Sequence, residues 1–402
     1  MNTNCRACDS NNLFTAIDLG EQPLAGGFVT VPGAAYKDYE TKLLICSDCG
    51  LGQLSLDVPP EELYSEYNWR TSTSKSYLDY IWDFADHGII PYLDTNEDWV
   101  LEIGSNDGYL LKYLQDEGYS VLGVDPAKNI SAYAIASGVP IIVDFFSADV
   151  ARNILELKGY PKRIIANNVA AHTPDIKSFM EGISILSGPD TITTIENPTI
   201  MNILTKGQFD TIFHEHYSYL SAKAVDYLAD RYGLTLFSVE HVSPQGGSNR
   251  YWLEKNVKKL TSVYDTIKQE EANGLTNQQT WSEYDKELTN ALKKFHSYLA
   301  TWDRGSVCGF GASAKASAVL NSKRRLGDTL KILAVADDVK EKQGTYFPKD
   351  QIPIISTEKM LHLKPDSVLI FAWNIKDELE AKLRNLGYTG KVWTWLEVPP
   401  TH

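Results

Sequence analysis

The chain reads as an α/β protein with a central Rossmann-like unit. A small cysteine-bearing module precedes it and a second Rossmann-like α/β unit follows. Three observations predict this. Residues 99–111, WVLEIGSNDGYLL, run from an apolar stretch through a glycine-bracketed turn into a helical pattern. Further apolar runs alternate with helical stretches, as in a parallel sheet covered on both faces. Two C-x-x-C pairs, Cys5/Cys8 and Cys46/Cys49, stand in the first fifty residues.

At 402 residues the chain is long enough for two or three domains. Its formal charge of -14, with no basic tract, argues against nucleic acid as a partner. No apolar run reaches membrane-spanning length and no export signal opens the sequence, so no membrane partner and a cytoplasmic location are expected. The doubled C-x-x-C motif suits a four-thiolate tetrahedral site holding one structural zinc ion, because a full set of thiolates leaves no open position for catalysis. Cys308, inside an apolar run, reads as a core residue.

Residues 1–60 form the zinc-binding module, and 61–98 an aromatic-rich helical segment that can act as a lid. Residues 99–256 hold the central unit, with strands predicted at 99–103, 121–124, 163–167, 191–196 and 209–213. A helix at 221–232 and a strand at 234–239 follow. Residues 257–300 are an amphipathic helical connector broken near 271–280. Residues 301–402 hold the second α/β unit, with strands at 331–336 and 367–372.

The first loop carries Gly104 and Gly108, which allow close backbone approach, but it is not G-x-G-x-x-G. Glu102, Asn106 and Asp107 oppose a pyrophosphate and favour a cofactor with a positive centre and no phosphate. S-adenosylmethionine fits that description, and a dehydrogenase or epimerase using NAD is the poorer reading. Asp125, 21 residues beyond Gly104, is placed to meet a ribose, although a helix-capping role also suits it. Asp144 and Phe145 can bracket adenine. Asn167 and Asn168, ending the fourth strand, are assigned to the methionine part or the substrate side.

The second loop, GFGASAKAS, carries Lys315 instead of an acid, so an anionic ligand is expected there. Residues 209–221, FDTIFHEHYSYLS, gather His214, Glu215 and His216. The spacing is not H-E-x-x-H, so a zincin site is unsupported. His216 is the candidate base for a carbon-bound proton acidified by a ketone, and Glu215 can bind a substrate hydroxyl or orient it. In an extended stretch His214 shares a side with His216, although a turn can bring Glu215 and His216 together.

The paired cysteines with LGEQPLAGGF between them, IGSNDGYLL, ANNVAAH, HEHYSYLS, GGSNR, GASAKAS, AVADD and FAWN occur in one order along nearly the entire chain. Together they resemble the C-methyltransferases that branch nucleotide-linked deoxysugars at C-3. That resemblance implies a class I methyltransferase fold for the central unit and a nucleotide-diphosphate-linked 4-keto sugar as partner. It implies enolate formation by His216, then attack on the methyl of S-adenosylmethionine. It assigns Glu215 to the C-3 substituent, Lys315, Ser313 and Asn374 to the nucleotide end, and Arg250 to support of the active site or the diphosphate. His214, Tyr67 and Arg70 join the expected substrate contacts. Relatives show Y-x-Y-H-S where this chain has Tyr67, Asn68, Trp69, Arg70 and Thr71, and some show Tyr at Phe213. The lysine of the second loop is followed by Ala316 where glycine is common. A monomer or weak homo-oligomer is expected, and a non-catalytic zinc-bearing sugar-nucleotide binder is the alternative from another class.

Overall fold

The structure, a computed structural model, describes residues 2–64, 70–94, 97–300, 305–322 and 331–397. Among them, the largest sheet has seven strands in the order Thr235–Val242, Ser248–Glu254, Ile192–Pro198, Arg163–Asn167, Trp99–Ile103, Ser120–Val124 and Ile141–Ile142. The last five run parallel, and the first two add an antiparallel hairpin at the edge. Every residue of Trp99–Ile103 is buried. Val100 packs with Leu110, Leu111 and Leu114 on one face, while Leu101 and Ile103 pack with Ile154, Phe179 and Ile183 on the other. Burial on both faces is why the strand is mostly apolar and does not alternate, with Glu102 the one buried exception.

Strand Trp99–Ile103 lies between Ser120–Val124 and Arg163–Asn167, so the chain reverses direction across the sheet there. Such a switch point opens a crevice at the carboxyl ends of the strands. The C-terminal sheet repeats the arrangement in the order Ile354–Ile355, Val335–Ala336, Val307–Phe310, Ser367–Ile370 and Lys391–Thr394, all parallel. Its switch point is at Val307–Phe310.

The third sheet is antiparallel: Leu13–Pro23, Asp38–Cys46, Gly52–Leu54 and, as a fourth strand, Ser218–Tyr219. The sequence immediately after His216 is therefore woven into the cysteine module. Helices Thr261–Ala272 and Gln278–Ala300 form the connector, separated by the expected break. Trp281 of the second is fully buried, donates its indole N–H to the Leu275 carbonyl at 2.7 Å, and joins the core that includes Ile17 and Leu19. No helix among the described residues is long and apolar enough to cross a membrane.

One predicted strand is corrected. Residues 209–213 form a single 3-10 turn, Phe209–Thr211, followed by a tight turn. Buried Phe209 and Ile212 mimic strand patterning, but the backbone closes locally through Ile212 N–H to Phe209 O (2.9 Å) and His216 N–H to Phe213 O (3.0 Å).

Candidate active site

A cavity of about 1280 Å³ opens where the carboxyl ends of the two parallel sheets face each other. That exceeds the roughly 300–1,000 Å³ of a site for one small molecule. Its walls come from the glycine loop of the central unit, the Lys315 loop, the 71–81 segment, and residues 24–28 of the cysteine module.

At the cofactor end Gly104 has φ +71° and lies so close to Val169 that a Cβ would stand 2.8 Å from that side chain. Only glycine meets both demands. Glu102 is buried, its Oε2 has no hydrogen-bond partner, and burial together with Asp125 and Asp107 raises its pKa well above the ordinary value. A cationic ligand relieves such a carboxylate, which suits the sulfonium and ammonium groups of S-adenosylmethionine. Asp125 lines the cavity, but both its oxygens already accept backbone N–H groups, from Asn106 at 2.8 Å and Ala127 at 2.9 Å. The capping bonds thus coexist with a position facing the ribose end.

The side chains of Asn106 and Asp107, expected at the cofactor, also make bonds within the protein. Asn106 Oδ1 accepts the Thr71 N–H at 3.0 Å, and Asp107 Oδ2 accepts the Ser72 N–H at 3.2 Å. These side chains strap residues 71–73 over the loop. Asn106 still lines the cavity, whereas Asp107 and Gly108 lie behind it. Phe145 is on the cavity wall, but exposed Asp144 is not and accepts the Phe145 N–H. Asn167 and Asn168 both face the cavity. The amide atoms of Asn167 are buried without protein partners, and Asn168 Nδ2 donates to the Tyr77 hydroxyl at 3.3 Å. Tyr77, from the aromatic segment, was not singled out as a site residue from the sequence.

Glu215 and His216 line the middle of the cavity. The imidazole Nδ1 of His216 stands 2.8 Å from the Thr211 carbonyl. A carbonyl only accepts, so Nδ1 carries the proton and Nε2 keeps its lone pair. Burial, with His172 adding to it, lowers the His216 pKa well below the ordinary value and keeps the ring neutral. His172 packs edge-on at 4.8 Å between ring centroids and is itself pushed down to about 4 by burial. Phe213 packs against the same imidazole at 4.1 Å. Burial raises Glu215 to about 7, partly offset by Lys342. His172 also faces the cavity, and its signal in the sequence was only its nearness to the Asn167–Asn168 pair.

Ser313, Lys315 and Asn374 all line the far end. Ser313 caps helix Ala314–Asn321 by accepting the Ala316 N–H. Lys315 on its first turn is half-buried, and burial lowers its pKa. Asp337 and Lys342 join this end, and neither was foreseen. Lys342 donates to the Ala312 carbonyl at 3.0 Å and pairs with Asp337 at 3.3 Å.

The structure does not bring three other expected substrate residues to the cavity wall. His214 turns away from it, its Nε2 2.8 Å from Thr41 Oγ1 on the cysteine-module sheet. The local turn, not an extended strand, sends Glu215 and His216 inward together. Arg250 is buried in a network with Glu196 (3.0 Å) and Glu240 (3.1 Å), which leaves it a supporting position behind the site. Arg70 stacks over the Tyr133 ring at 4.8 Å, outside the cavity. Tyr67, like Trp69, lies outside the described residues.

The four thiols Cys5, Cys8, Cys46 and Cys49 have sulfurs all within 4.8 Å of one another, and none is in a disulfide. Cys5–Cys49 and Cys8–Cys46 each stand at 3.5 Å. A tetrahedral zinc with bonds of ~2.3 Å needs sulfurs about 3.8 Å apart, so the donor set fits the ion. Cys308 is fully buried, as expected of a core residue.

Three family models match in succession: a putative zinc binding domain over residues 5–64, a methyltransferase domain over 81–239, and a C-methyltransferase C-terminal domain over 243–397. The C-methyltransferase NovU of Streptomyces niveus is 29% identical over 382 residues, covering 93% of this chain and 90% of its own. Among solved structures, a SAM-dependent methyltransferase from Anabaena variabilis ATCC 29413 aligns with TM-score 0.38 and 12% identity, covering 46% of this chain and 86% of that one. The magnesium protoporphyrin IX methyltransferase of Synechocystis PCC 6803 aligns with TM-score 0.36 and 13% identity, covering 49% and 92%. With its four-thiolate module, glycine loop and C-terminal unit matched in order, the chain belongs to the S-adenosylmethionine-dependent C-methyltransferases that carry an N-terminal zinc-binding module.

Proposed function

We propose that the enzyme methylates C-3 of a 4-keto deoxysugar carried on a nucleoside diphosphate. The observation that carries this reading is the placement of His216, with Nδ1 locked onto Thr211 O, between an acidic loop and a lysine-bearing loop in one cavity. His216 Nε2 takes the C-3 proton, whose electron pair moves onto the 4-keto oxygen; the ketone is what makes that proton removable. Glu215 contacts the C-3 substituent and holds that face toward the base. Lys315, Ser313 and Asn374 hold the nucleotide end, with Lys315 opposing the diphosphate charge.

When bound, S-adenosylmethionine supplies an electrophilic methyl that C-3 takes as the sulfur leaves as a neutral thioether. Glu102, Asp125, Phe145, Asn167 and Asn168 are the residues placed to hold it. Closure of the 71–81 segment over this end excludes water from the enolate. The division of labour follows the chain: 1–60 frames the sugar site, 61–98 covers it, 99–256 holds the methyl donor, 257–300 connects, and 301–402 holds the nucleotide. Four cysteines grouped for a metal and not for disulfides favour the cytoplasm, and the proposed state is a monomer or weak homo-oligomer.

Incubation with methyl-labelled S-adenosylmethionine and a panel of nucleotide-linked 4-keto sugars tests the reading. Label on C-3 is expected. Label on oxygen or nitrogen, or none across thymidine- and guanosine-linked substrates, overturns it.

A further inference from the structure

Asp210 takes no part in the steps above, yet its side chain is fully buried where the C-terminal unit meets the His216 segment. Its Oδ2 accepts the indole N–H of Trp373 at 2.6 Å and that of Trp395 at 2.9 Å. Trp373 immediately precedes Asn374 on the cavity wall, and Trp395 follows strand Lys391–Thr394. Both therefore belong to the C-terminal unit. The Lys315 ammonium stands 5.8 Å from the Trp373 ring centroid and is attracted by the Asp210 charge.

The next residue, Thr211, holds His216 through its carbonyl. One 3-10 turn, Phe209–Thr211, thus grips the base with a main-chain atom and the far wall of the cavity with a side chain. Burial pushes the Asp210 carboxyl up to about 6, while Lys315 and the two indoles favour its ionised form. These three neighbours thus favour the carboxylate that burial opposes.

We propose that Asp210 is a positioning residue for the anionic end of the substrate. It fixes Lys315 and the Trp373–Asn374 wall at a set distance from His216, so that one molecule engages both ends at once. This rests on the reading above in which Lys315 opposes the diphosphate.

The test compares Asp210→Asn, Lys315→Met and the double variant in the full chain. Thymidine diphosphate and guanosine diphosphate are titrated calorimetrically in the presence of S-adenosylhomocysteine. An asparagine oxygen still accepts the indoles but carries no charge. Each single change is expected to weaken the tighter-binding diphosphate about tenfold, and the double variant no more than Lys315→Met alone, because the two residues act as one unit. KM for the sugar nucleotide rises correspondingly while kcat at saturation holds, and affinity for S-adenosylhomocysteine is unchanged.

Unaltered diphosphate binding in Lys315→Met overturns the parent reading. Weakened binding in Lys315→Met but not in Asp210→Asn, or losses that multiply in the double variant, overturns this inference alone. Should Asp210→Asn fail to fold, Trp373→Phe removes one indole N–H and keeps the ring. A raised KM with kcat held then supports the assignment, and an unchanged KM overturns it.

Discussion

Asp125 and Asp337 make the same pair of bonds in the two α/β units. Asp125 accepts N–H groups from Asn106 at 2.8 Å and Ala127 at 2.9 Å; Asp337 accepts them from Ala312 at 2.8 Å and Val339 at 2.9 Å. Each acid ends the strand beside the switch point and staples the glycine loop to the following turn. The loops therefore owe their shape to a carboxylate, while their charge toward the cavity differs through Glu102 on one side and Lys315 on the other.

Asp125→Ala and Asp337→Ala are each expected to lower stability by about 1–3 kcal/mol, because two N–H donors lose their acceptor, both buried at Asp125 and one buried at Asp337. The selective effect lies in binding. Asp125→Ala weakens S-adenosylhomocysteine and Asp337→Ala weakens the nucleoside diphosphate, read by titration of each ligand. Identical losses for both ligands in both variants would contradict separate sites.

Replacing His216 by Ala is expected to lower methyl transfer by about 10²–10⁴, the usual range for a lost general base. Deuterium exchange at C-3 of the keto sugar, followed by NMR, should fall with it even without cofactor. Persistent exchange at the original rate moves the base to another residue.

The pH profile separates the two central groups. His216 is held neutral by burial well below the ordinary histidine range, so its protonation leaves no limb near pH 6.5. Glu215 is raised to about 7 by burial, so its ionised form, the one able to accept a hydrogen bond from the C-3 substituent in the proposed reaction, is populated above that pH. Activity is expected to climb through about pH 7, and Glu215→Gln to flatten the climb. The same shift makes the native state bind more protons than the unfolded chain between 4.5 and about 7. Stability therefore falls as pH rises through that window, and Glu215→Gln removes this share of the fall in a melting series.

Zinc removal should act beyond the cysteines. Loop residues 24–28 reach the cavity, and a Cβ on Gly26 would stand 3.8 Å from Glu215 Oε1. Chelation is expected to melt the antiparallel sheet and abolish sugar-nucleotide binding while the central unit still binds S-adenosylhomocysteine. Metal analysis should give one zinc per chain, and a chelated protein with undiminished substrate affinity would speak against the coupling.

The parallel strands were legible because burial on both faces leaves short, mostly apolar runs without alternation, as in 99–101 and 164–166. Strands Trp99–Ile103 and Arg163–Asn167 follow the expected bounds residue for residue. The 209–216 segment was not, because Phe209 and Ile212 are buried in a turn as they would be in a strand. Of the two arrangements the sequence left open there, the turn is the one observed, and it sends Glu215 and not His214 to the cavity with His216. Asn106 and Asp107 were read as polar groups turned toward a ligand, but their side-chain oxygens accept backbone N–H groups 35 residues earlier in the chain. Asp210 gave no sign at all, since its tryptophans lie 163 and 185 residues away.

Ser317 in the C-terminal unit donates its hydroxyl to the Ala25 carbonyl of the cysteine module at 2.7 Å. The C-terminal unit and the cysteine module thus meet beside the cavity and close it as a keystone closes an arch. Cutting the chain before residue 301 therefore strips a shared core as well as a cavity wall, since Val307, Val319 and Leu369 pack with Ile17, Leu19 and Trp281.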